Sequence, residues 1–344
     1  MKACVLEEIG KLIYKEVKTP NPEENEVLVK IMASGICGSD ISRVMTKGTY
    51  SFPTIPGHEF SGEVVELGKD ADKKWLGKRV AVFPMLPCFK CGPCQIGEYA
   101  QCANYNYYGS RCDGGFAEYI AVKCWNLVPI PDEISFLEAA MSEPMSVAVH
   151  ALRQGGIEIG DNVVIYGAGP IGLMLASWAY KWGSKNVMLV DIDKSKIDYA
   201  KKLGFDLIIN SGETDAVEWI HEVTGGKGAD MAVEGTGFSS ALEQCCFSIR
   251  QFGRIILMGN PAKDMAISQK GYWEILRKQA TIKGTWNSSY SSMPKNDWHL
   301  SLETMKSFDL ERFITHKYKL SDGISPFIMM SERKEHFNKV MYIN

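Results

Sequence analysis

The sequence predicts an α/β protein in two parts: an all-β lobe of barrel or rolled type, and a doubly wound parallel sheet. Two patterns carry this expectation. Before residue 150 the apolar runs are short, alternate with polar residues, and are separated by Gly and Pro turns with no long helical period. From residue 162 onward short apolar strands alternate with helix-length segments, which is the signature of a parallel sheet covered by helices. A length of 344 residues also exceeds what one compact core usually serves, so two domains are expected.

In the N-terminal lobe "NEVLVKIMASGI", "GEVVELG", "KRVAVFP" and "FAEYIAV" read as strands. In the second part Val163–Tyr166 is a β-branched and aromatic run, followed by Gly167, Gly169 and Gly172 in the spacing G-x-G-x-x-G. An apolar helix-length stretch runs to Trp182, and a second strand from Asn186 ends on Asp191. Between a strand and a helix, with an acid at the tip of the next strand, this glycine pattern points to dinucleotide binding. Gly167 would permit the tight turn, Gly169 would let the backbone approach a pyrophosphate, and Gly172 would let helix and strand pack closely. Pro170 and Ile171 open the helix, whose free N–H groups and dipole favour phosphate. Asp191 would accept hydrogen bonds from ribose hydroxyls and repel a 2′-phosphate, which favours NAD over NADP. Further strands are expected at "DLIIN", "DMAVEGTG", "GRIILMGN" and "ATIKGTW", after a helix from Lys194 to Leu203. Ligands on such sheets bind at the carboxyl ends of the strands, so the nicotinamide is expected near Gly235–Gly237 and Gly259–Asn260.

Composition narrows the function classes. Hydrophobic content is 45% and charged content 23%, so the chain is neither disordered nor fibrous. The formal net charge is −3 with no Lys/Arg block, so the basic footprint of a nucleic-acid binder is missing. The N-terminus is broken by charges and has no apolar signal-like run, and glycines interrupt the apolar stretch after Asn162. A soluble cytoplasmic protein is expected.

Cys88, Cys91, Cys94 and Cys102 fall within fifteen residues, "CFKCGPCQIGEYAQC". In a reducing compartment such clustering favours metal over disulfides. A redox pair needs two thiols, not four. The bacterial iron–sulfur run closes with a three-residue gap and a Pro, whereas here the last gap is seven residues and no Pro follows. A closed, structural Cys4 zinc site fits best. Cys4, Cys112, Cys124, Cys245 and Cys246 are scattered and read as ordinary packed cysteines. Cys37 in "GICGSD" and His58 in "PGHEFSGEVVELG" form a candidate soft pair for a second, open metal site. Glu59 adjoins His58, Glu143 lies in "MSEPMS", and glycines 35, 38 and 57 frame the pair.

"GHEFSGEVVELG" resembles the zinc-containing alcohol dehydrogenase signature G-H-E-x2-G-x5-G, and the four-cysteine run resembles the structural-zinc lobe of that family. "CGSD", "DGGFAEY" and "GAGPIG" lie in the family's order, and the resemblance covers essentially the whole chain. It implies a GroES-like β lobe over residues 1–150 and 287–344, with the zinc lobe at 88–102, and a Rossmann domain over 151–286. It implies that Cys37, His58 and Glu143 hold a catalytic zinc, with Glu59 able to ligate directly or through water. Ser39 matches the hydroxyl that relays the substrate proton to solvent, and Lys196 joins Asp191 in the NAD set. The implied reaction is hydride transfer from a secondary alcohol to NAD, with zinc lowering the alcohol's pKa. Within the family, "LPCFKCGPC", "YYGSRCDGGFAEY" and "GTWNSSYSS" look most like the branch that oxidises polyol phosphates. Sorbitol dehydrogenases carry an Arg soon after the last Rossmann strand, where this chain has Asn287. A phosphorylated substrate would need a cation at its far end, and Lys47 and Arg111 are candidates. Other secondary alcohols (a free polyol, butanediol, threonine) remain open, as does a non-enzymatic NAD-binding protein, although the latter predicts a broken ligand set. Dimers or tetramers are implied by the family.

Overall fold

The structure, a computed structural model, describes every residue except 292, 294 and 295, so the last residue of "GTWNSSYSS" falls outside the described residues. The chain divides into two compact units, Met1–Ser146 with Ser289–Asn344, and Val147–Ser288. The first boundary falls inside the helix Ser142–Gln154.

The first unit opens with β1 (Lys2–Glu8) and β2 (Lys11–Glu16), an antiparallel pair. It continues with β3 (Glu26–Ile36), β4 (Glu59–Leu67), β5 (Arg79–Val82), β6 (Met85–Leu86), β7 (Asn106–Tyr107), β8 (Tyr119–Lys123) and β9 (Leu127–Pro129). The second unit holds β10 (Asn162–Tyr166), β11 (Asn186–Asp191), β12 (Ile208–Asn210), β13 (Ala229–Glu234), β14 (Ile249–Leu257) and β15 (Thr281–Gly284). The chain then returns to the first unit with β16 (Ile314–Lys319) and β17 (Lys339–Ile343).

Among the described residues the main sheet of the first unit runs β16-β17-β3-β4-β5-β9, with β8 also on β3. β3 is the hub because it is eleven residues long. Its first half pairs with β8 and its second half with β17, while β4 follows the whole other edge. Along the first half, exposed Lys30 alternates with buried Val29 and Ile31; from Ala33 to Ile36 both faces are buried. The core behind it includes Val27, Val64, Val80, Phe116 and Tyr342, each nearly inaccessible to solvent. Burying one such apolar side chain stabilises the fold by about 1.5–3 kcal/mol.

The second unit is a parallel sheet in the order β12-β11-β10-β13-β14-β15. β10 and β11 are buried along almost their whole length, as expected for strands covered by helices on both sides. The apolar stretch after Asn162 is strand, turn and helix (Pro170–Trp182). Among the described residues no helix is long and apolar enough to cross a membrane. Two details differ from the sequence expectation. β14 begins at Ile249, ahead of the apolar run, because Phe252 takes a positive φ and the register on β13 shifts there. Such an irregularity inside a strand leaves no hydropathy signal. β15 is exposed at all four positions because it is the sheet's edge.

The order of β10 and β13 matters for function. β11 and β12 extend to one side of β10, and β13 to the other, so the strand order reverses beside β10. That is where ligands of open parallel sheets bind. Gly172 makes the turn there possible: a Cβ on it would collide with the Gly167 carbonyl oxygen. At Gly169, by contrast, an added Cβ meets nothing within 4 Å. Gly172→Ala is therefore expected to lower stability by at least about 1–3 kcal/mol, and Gly169→Ala by less than about 1 kcal/mol. Urea unfolding midpoints of the two variants check the difference; equal losses would refute the close helix–strand packing.

Candidate functional site

Strand register assembles the first cluster. Gly35 of β3 stands opposite Glu59 of β4, so Cys37, just past the end of β3, meets His58, just before the start of β4. On the other edge Ile36 stands opposite Val340, which brings Lys339 to the same end. The ligand atoms of Cys37, His58 and Glu59 all lie within 4.8 Å of one another. His58 and Glu59 are buried and Cys37 is partly open, so one side of the cluster is accessible. Gly57 takes a left-handed φ of 97°, and a Cβ there would strike the Phe116 ring. A Cβ on Gly35 would collide with the Glu59 carboxylate and the Lys339 stem. Gly38 faces open space and is not required in this way.

Buried charges hold the cluster. Asp40 is fully buried; it accepts from the Cys37 backbone N–H at 3.1 Å and from Arg43, and its Oδ1 lies 3.3 Å from His58 Nδ1. A carboxylate behind one imidazole nitrogen leaves the other to face a metal and raises its basicity. Burial alone would push the His58 pKa down, but the Asp40 charge pulls it well above the usual value. Burial likewise opposes ionisation of Asp40, and His58 and Arg43 outweigh it, so its pKa is lowered. The buried Lys339 ammonium is hydrogen-bonded to Glu59; burial disfavours its charge, yet Glu59 raises its pKa above the usual lysine value. Two buried opposite charges in contact satisfy each other, whereas either alone would be costly.

Glu143 sits in the first turn of the helix Ser142–Gln154 and is not among the three clustered residues. Tyr107 donates to its Oε1 at 3.3 Å, and the Tyr107 ring packs edge-on to His58 at 5.8 Å between centroids. Burial pushes the Glu143 pKa up to about 7; His58 counters this and Glu59 adds to it. A carboxyl near neutral can change protonation state at little cost. Ser39, in the short helix Gly38–Ser42, is exposed.

The four-cysteine run forms the second cluster. Cys88 and Cys94 sulfurs are 4.0 Å apart, Cys91 and Cys94 3.5 Å, and Cys91 and Cys102 3.9 Å. A tetrahedron with zinc–sulfur bonds of ~2.3 Å has edges of about 3.8 Å, so the donor set fits zinc. The same distances are far longer than a disulfide, and all four thiols are free. Backbone N–H groups bring the Cys91 thiol down to about 6, while burial pushes Cys94 up to about 12. Phe89 and Tyr99 of this lobe pack on Trp125, with ring centroids 4.9 and 5.2 Å away.

In the second unit Gly167 has a φ of 107° and donates its N–H to the Val190 carbonyl at 2.8 Å. Gly169 caps the helix that begins at Pro170. Ile171 and Gly172 thus occupy the first turn, where amides lack intrahelical acceptors. Asp191 is nearly buried: its Oδ2 accepts from Ala168 N–H at 2.8 Å, and its Oδ1 from Ile192 and Asp193 N–H at 2.8 and 2.9 Å. Lys196 stands 3.6 Å from Asp191 Oδ2. The acid therefore also ties the glycine loop to the tip of β11. At the tip of β13, buried Glu234 accepts from Thr236 and Gly237 N–H at 2.7 and 2.9 Å. This draws Gly235–Gly237 against Gly259, where any Cβ would collide with Gly237 and Glu234, and Gly237 in turn lies close to Asn260. Asn287 adopts a left-handed φ of 57° and caps its own turn by accepting from Ser288 N–H at 2.9 Å.

Sequence reasoning did not single out Asp40, Tyr107, Glu234 or Lys339. Asp40 carried a signal, three residues after Cys37 in a short helix. Lys339 carried a weaker one, a lysine opening the otherwise apolar "VMYI" strand. The two cations named for a substrate phosphate differ: Lys47 is exposed, whereas Arg111 lies between two tyrosine rings.

Comparison with known proteins agrees with this architecture. Residues 23–132 match the alcohol dehydrogenase GroES-like domain, and residues 170–307 match the zinc-binding dehydrogenase family. The chain is 34% identical over 311 residues to galactitol 1-phosphate 5-dehydrogenase of Escherichia coli K12, covering 90% of this chain and 89% of that protein. A crystal structure of galactitol-1-phosphate dehydrogenase from Escherichia coli superposes with a TM-score of 0.93 at 33% identity, covering all of both chains. An alcohol dehydrogenase from Escherichia coli CFT073, complexed with NADH, gives a TM-score of 0.90 at 28% identity, covering 100% of this chain and 99% of that one. With a GroES-like unit, a Rossmann-type parallel sheet and a four-cysteine metal-binding cluster, the chain belongs to the zinc-containing medium-chain alcohol dehydrogenase family.

Proposed function

We propose that this chain is an NAD-dependent polyol dehydrogenase whose substrate is a polyol phosphate, with galactitol 1-phosphate oxidised to a keto-sugar phosphate. The single observation that carries the chemistry is the convergence of Cys37, His58 and Glu59 within 4.8 Å at the open end of β3 and β4. Likeness to galactitol 1-phosphate 5-dehydrogenase supports the substrate.

The donor set of thiolate, imidazole and carboxylate fits a zinc ion with one position left for a ligand. Cys37 and His58 would hold it, with Glu59 or Glu143 as the third protein ligand. When bound, zinc supplies a Lewis acid that lowers the pKa of the substrate hydroxyl. Ser39 takes the hydroxyl proton and passes it to solvent. Bound NAD would supply the hydride acceptor, so that the overall reaction would give a ketone, NADH and a proton. Asp40 keeps the His58 ring aimed, Lys339 restrains Glu59, and Tyr107 restrains Glu143. Gly167, Gly169, Pro170, Ile171 and Gly172 would cradle the NAD pyrophosphate, with Asp191 and Lys196 at the ribose and Gly235, Gly259 and Asn260 towards the nicotinamide. Cys88, Cys91, Cys94 and Cys102 would hold the structural zinc. The exposed edge strand β15 and the exposed Tyr272, Trp273 and Leu276 of the helix Gln269–Lys278, which precedes β15 in the chain, support a homodimer or homotetramer.

Dialysis against a chelator is expected to abolish alcohol oxidation, and zinc to restore it; full activity of metal-free enzyme would refute the mechanism. With NAD present, kcat/KM should be highest for galactitol 1-phosphate among galactitol, sorbitol, 2,3-butanediol and L-threonine. A better rate on threonine or butanediol would overturn the substrate. Cys91→Ser is expected to lower the melting temperature and drop the zinc content by one ion per chain, because structural zinc contributes folding energy. Unchanged zinc and melting temperature would remove its structural role. Asp191→Ser is expected to narrow the NAD-over-NADP preference and, through its three lost N–H contacts, to lower stability; an unchanged preference would show that another residue selects the cofactor.

A further inference from the structure

Arg111 is a fixed cation of the first unit that no acid among the described residues neutralises. Its guanidinium carbon lies 4.3 Å from the centre of the Tyr50 ring and 4.2 Å from that of Tyr105. Nη2 donates to the Tyr50 hydroxyl at 3.3 Å and Nη1 to the Tyr105 carbonyl at 3.4 Å. The backbone around it is held too. Arg111 N–H donates to the Tyr107 carbonyl at 3.0 Å, Gly109 N–H to the Cys112 carbonyl at 2.8 Å, and the Thr49 hydroxyl to the Ser110 carbonyl. Among the described residues no carboxylate lies in ion-pair range of Arg111.

Two flanking rings fix the plane of the guanidinium without cancelling its charge. Its rotamer entropy is already spent, and part of the fork's edge stays available to a planar or tetrahedral oxyanion. The tyrosines also connect it to the candidate metal site. The Tyr105 ring lies 6.3 Å from Tyr107, and Tyr107 lies 5.8 Å from His58 and donates to Glu143. An aromatic wall thus runs from the alcohol-handling residues to a pre-positioned cation. Lys47, in the segment leading to Tyr50, is exposed, and no ring among the described residues flanks it.

We infer that Arg111, clamped between Tyr50 and Tyr105, is the specificity residue that recognises the anionic end of the substrate, a phosphate monoester carried along the Tyr107–Tyr105 wall. The inference rests on the polyol-phosphate reading above and names the group that selects it. A phosphate monoester carries about −1.5 to −2 charges near pH 7, of which an un-neutralised guanidinium offsets about one.

Steady-state kinetics on galactitol 1-phosphate and galactitol, with inorganic phosphate as an inhibitor, test it in wild type, Arg111→Gln, Arg111→Lys and Tyr50→Leu. In Arg111→Gln the KM for galactitol 1-phosphate is expected to rise about 10- to 100-fold, the worth of a charge-assisted hydrogen bond, and the preference for it over galactitol to fall by a similar factor. Arg111→Lys keeps the charge but not the fork and should fall between. Tyr50→Leu frees one face of the guanidinium and should shift KM in the same direction, which keeps the test open if Arg111→Gln folds poorly. Inorganic phosphate should inhibit wild type competitively and Arg111→Gln much less. Equal losses on both polyols, or equal phosphate inhibition of wild type and Arg111→Gln, would overturn the assignment. If wild type shows no preference for the phosphorylated polyol, the substrate reading fails, and loss of phosphate inhibition in Arg111→Gln still decides whether Arg111 binds the anion.

Discussion

The pairing register of β3 is the constraint on which the candidate metal site depends. β4 and β17 flank its second half so that Gly35 faces Glu59 on one side and Met341 on the other. A slip of one residue on either edge would turn every side chain to the opposite face. His58 would then point away from Cys37, or Lys339 away from Glu59. The register is secured by the residues that are buried on both faces from Ala33 to Ile36. The same packing that stabilises the lobe therefore sets the geometry of the cluster, and stability and site are not separable there.

The buried charges follow from that register. Glu59 and Lys339 would each be costly to desolvate alone. Together they fit only because position 35 is glycine. Asp40 repeats the arrangement on the other side, with Arg43 and His58 as its partners. The cluster is thus enclosed by two acid–base pairs, one from the adjacent helix and one from the C-terminal strand. Each buried acid of these pairs thus meets its counter-charge within the fold itself.

Much of this was legible in the chain, for identifiable reasons. The cysteine spacing and the glycine fingerprint are local, since their residues meet within one loop or one strand–turn–helix unit. Short apolar strands separated by helix-length segments announced the parallel sheet, but the strand order that puts β10 at the point of reversal exists only in the folded sheet. Lys339 was not legible, because it approaches Glu59 from 280 positions away and its role exists only after β17 has paired with β3. Tyr107 and Arg111 sat in a stretch quoted for its family likeness, yet the ring contacts that give them meaning come from Tyr50, Tyr105 and His58 in space. The start of β14 escaped because its irregularity at Phe252 is a backbone event without a hydropathy trace. Local chemistry reads forward from sequence; pairings set by tertiary register do not.

The edge-on packing of Phe89 and Tyr99 against Trp125 gives the cysteine lobe an attachment separate from the ion its four thiols would hold. Trp125 also touches Tyr290, which stacks on Phe83 at 4.5 Å, so the indole is bracketed by the lobe on one side and by the body of its unit on the other. An indole held in so asymmetric an aromatic surrounding acquires near-ultraviolet dichroism that a freely turning one lacks. The lobe therefore carries a built-in optical gauge of its own seating, one that responds to loosening of the thiol knot whether or not the remainder of the protein unfolds.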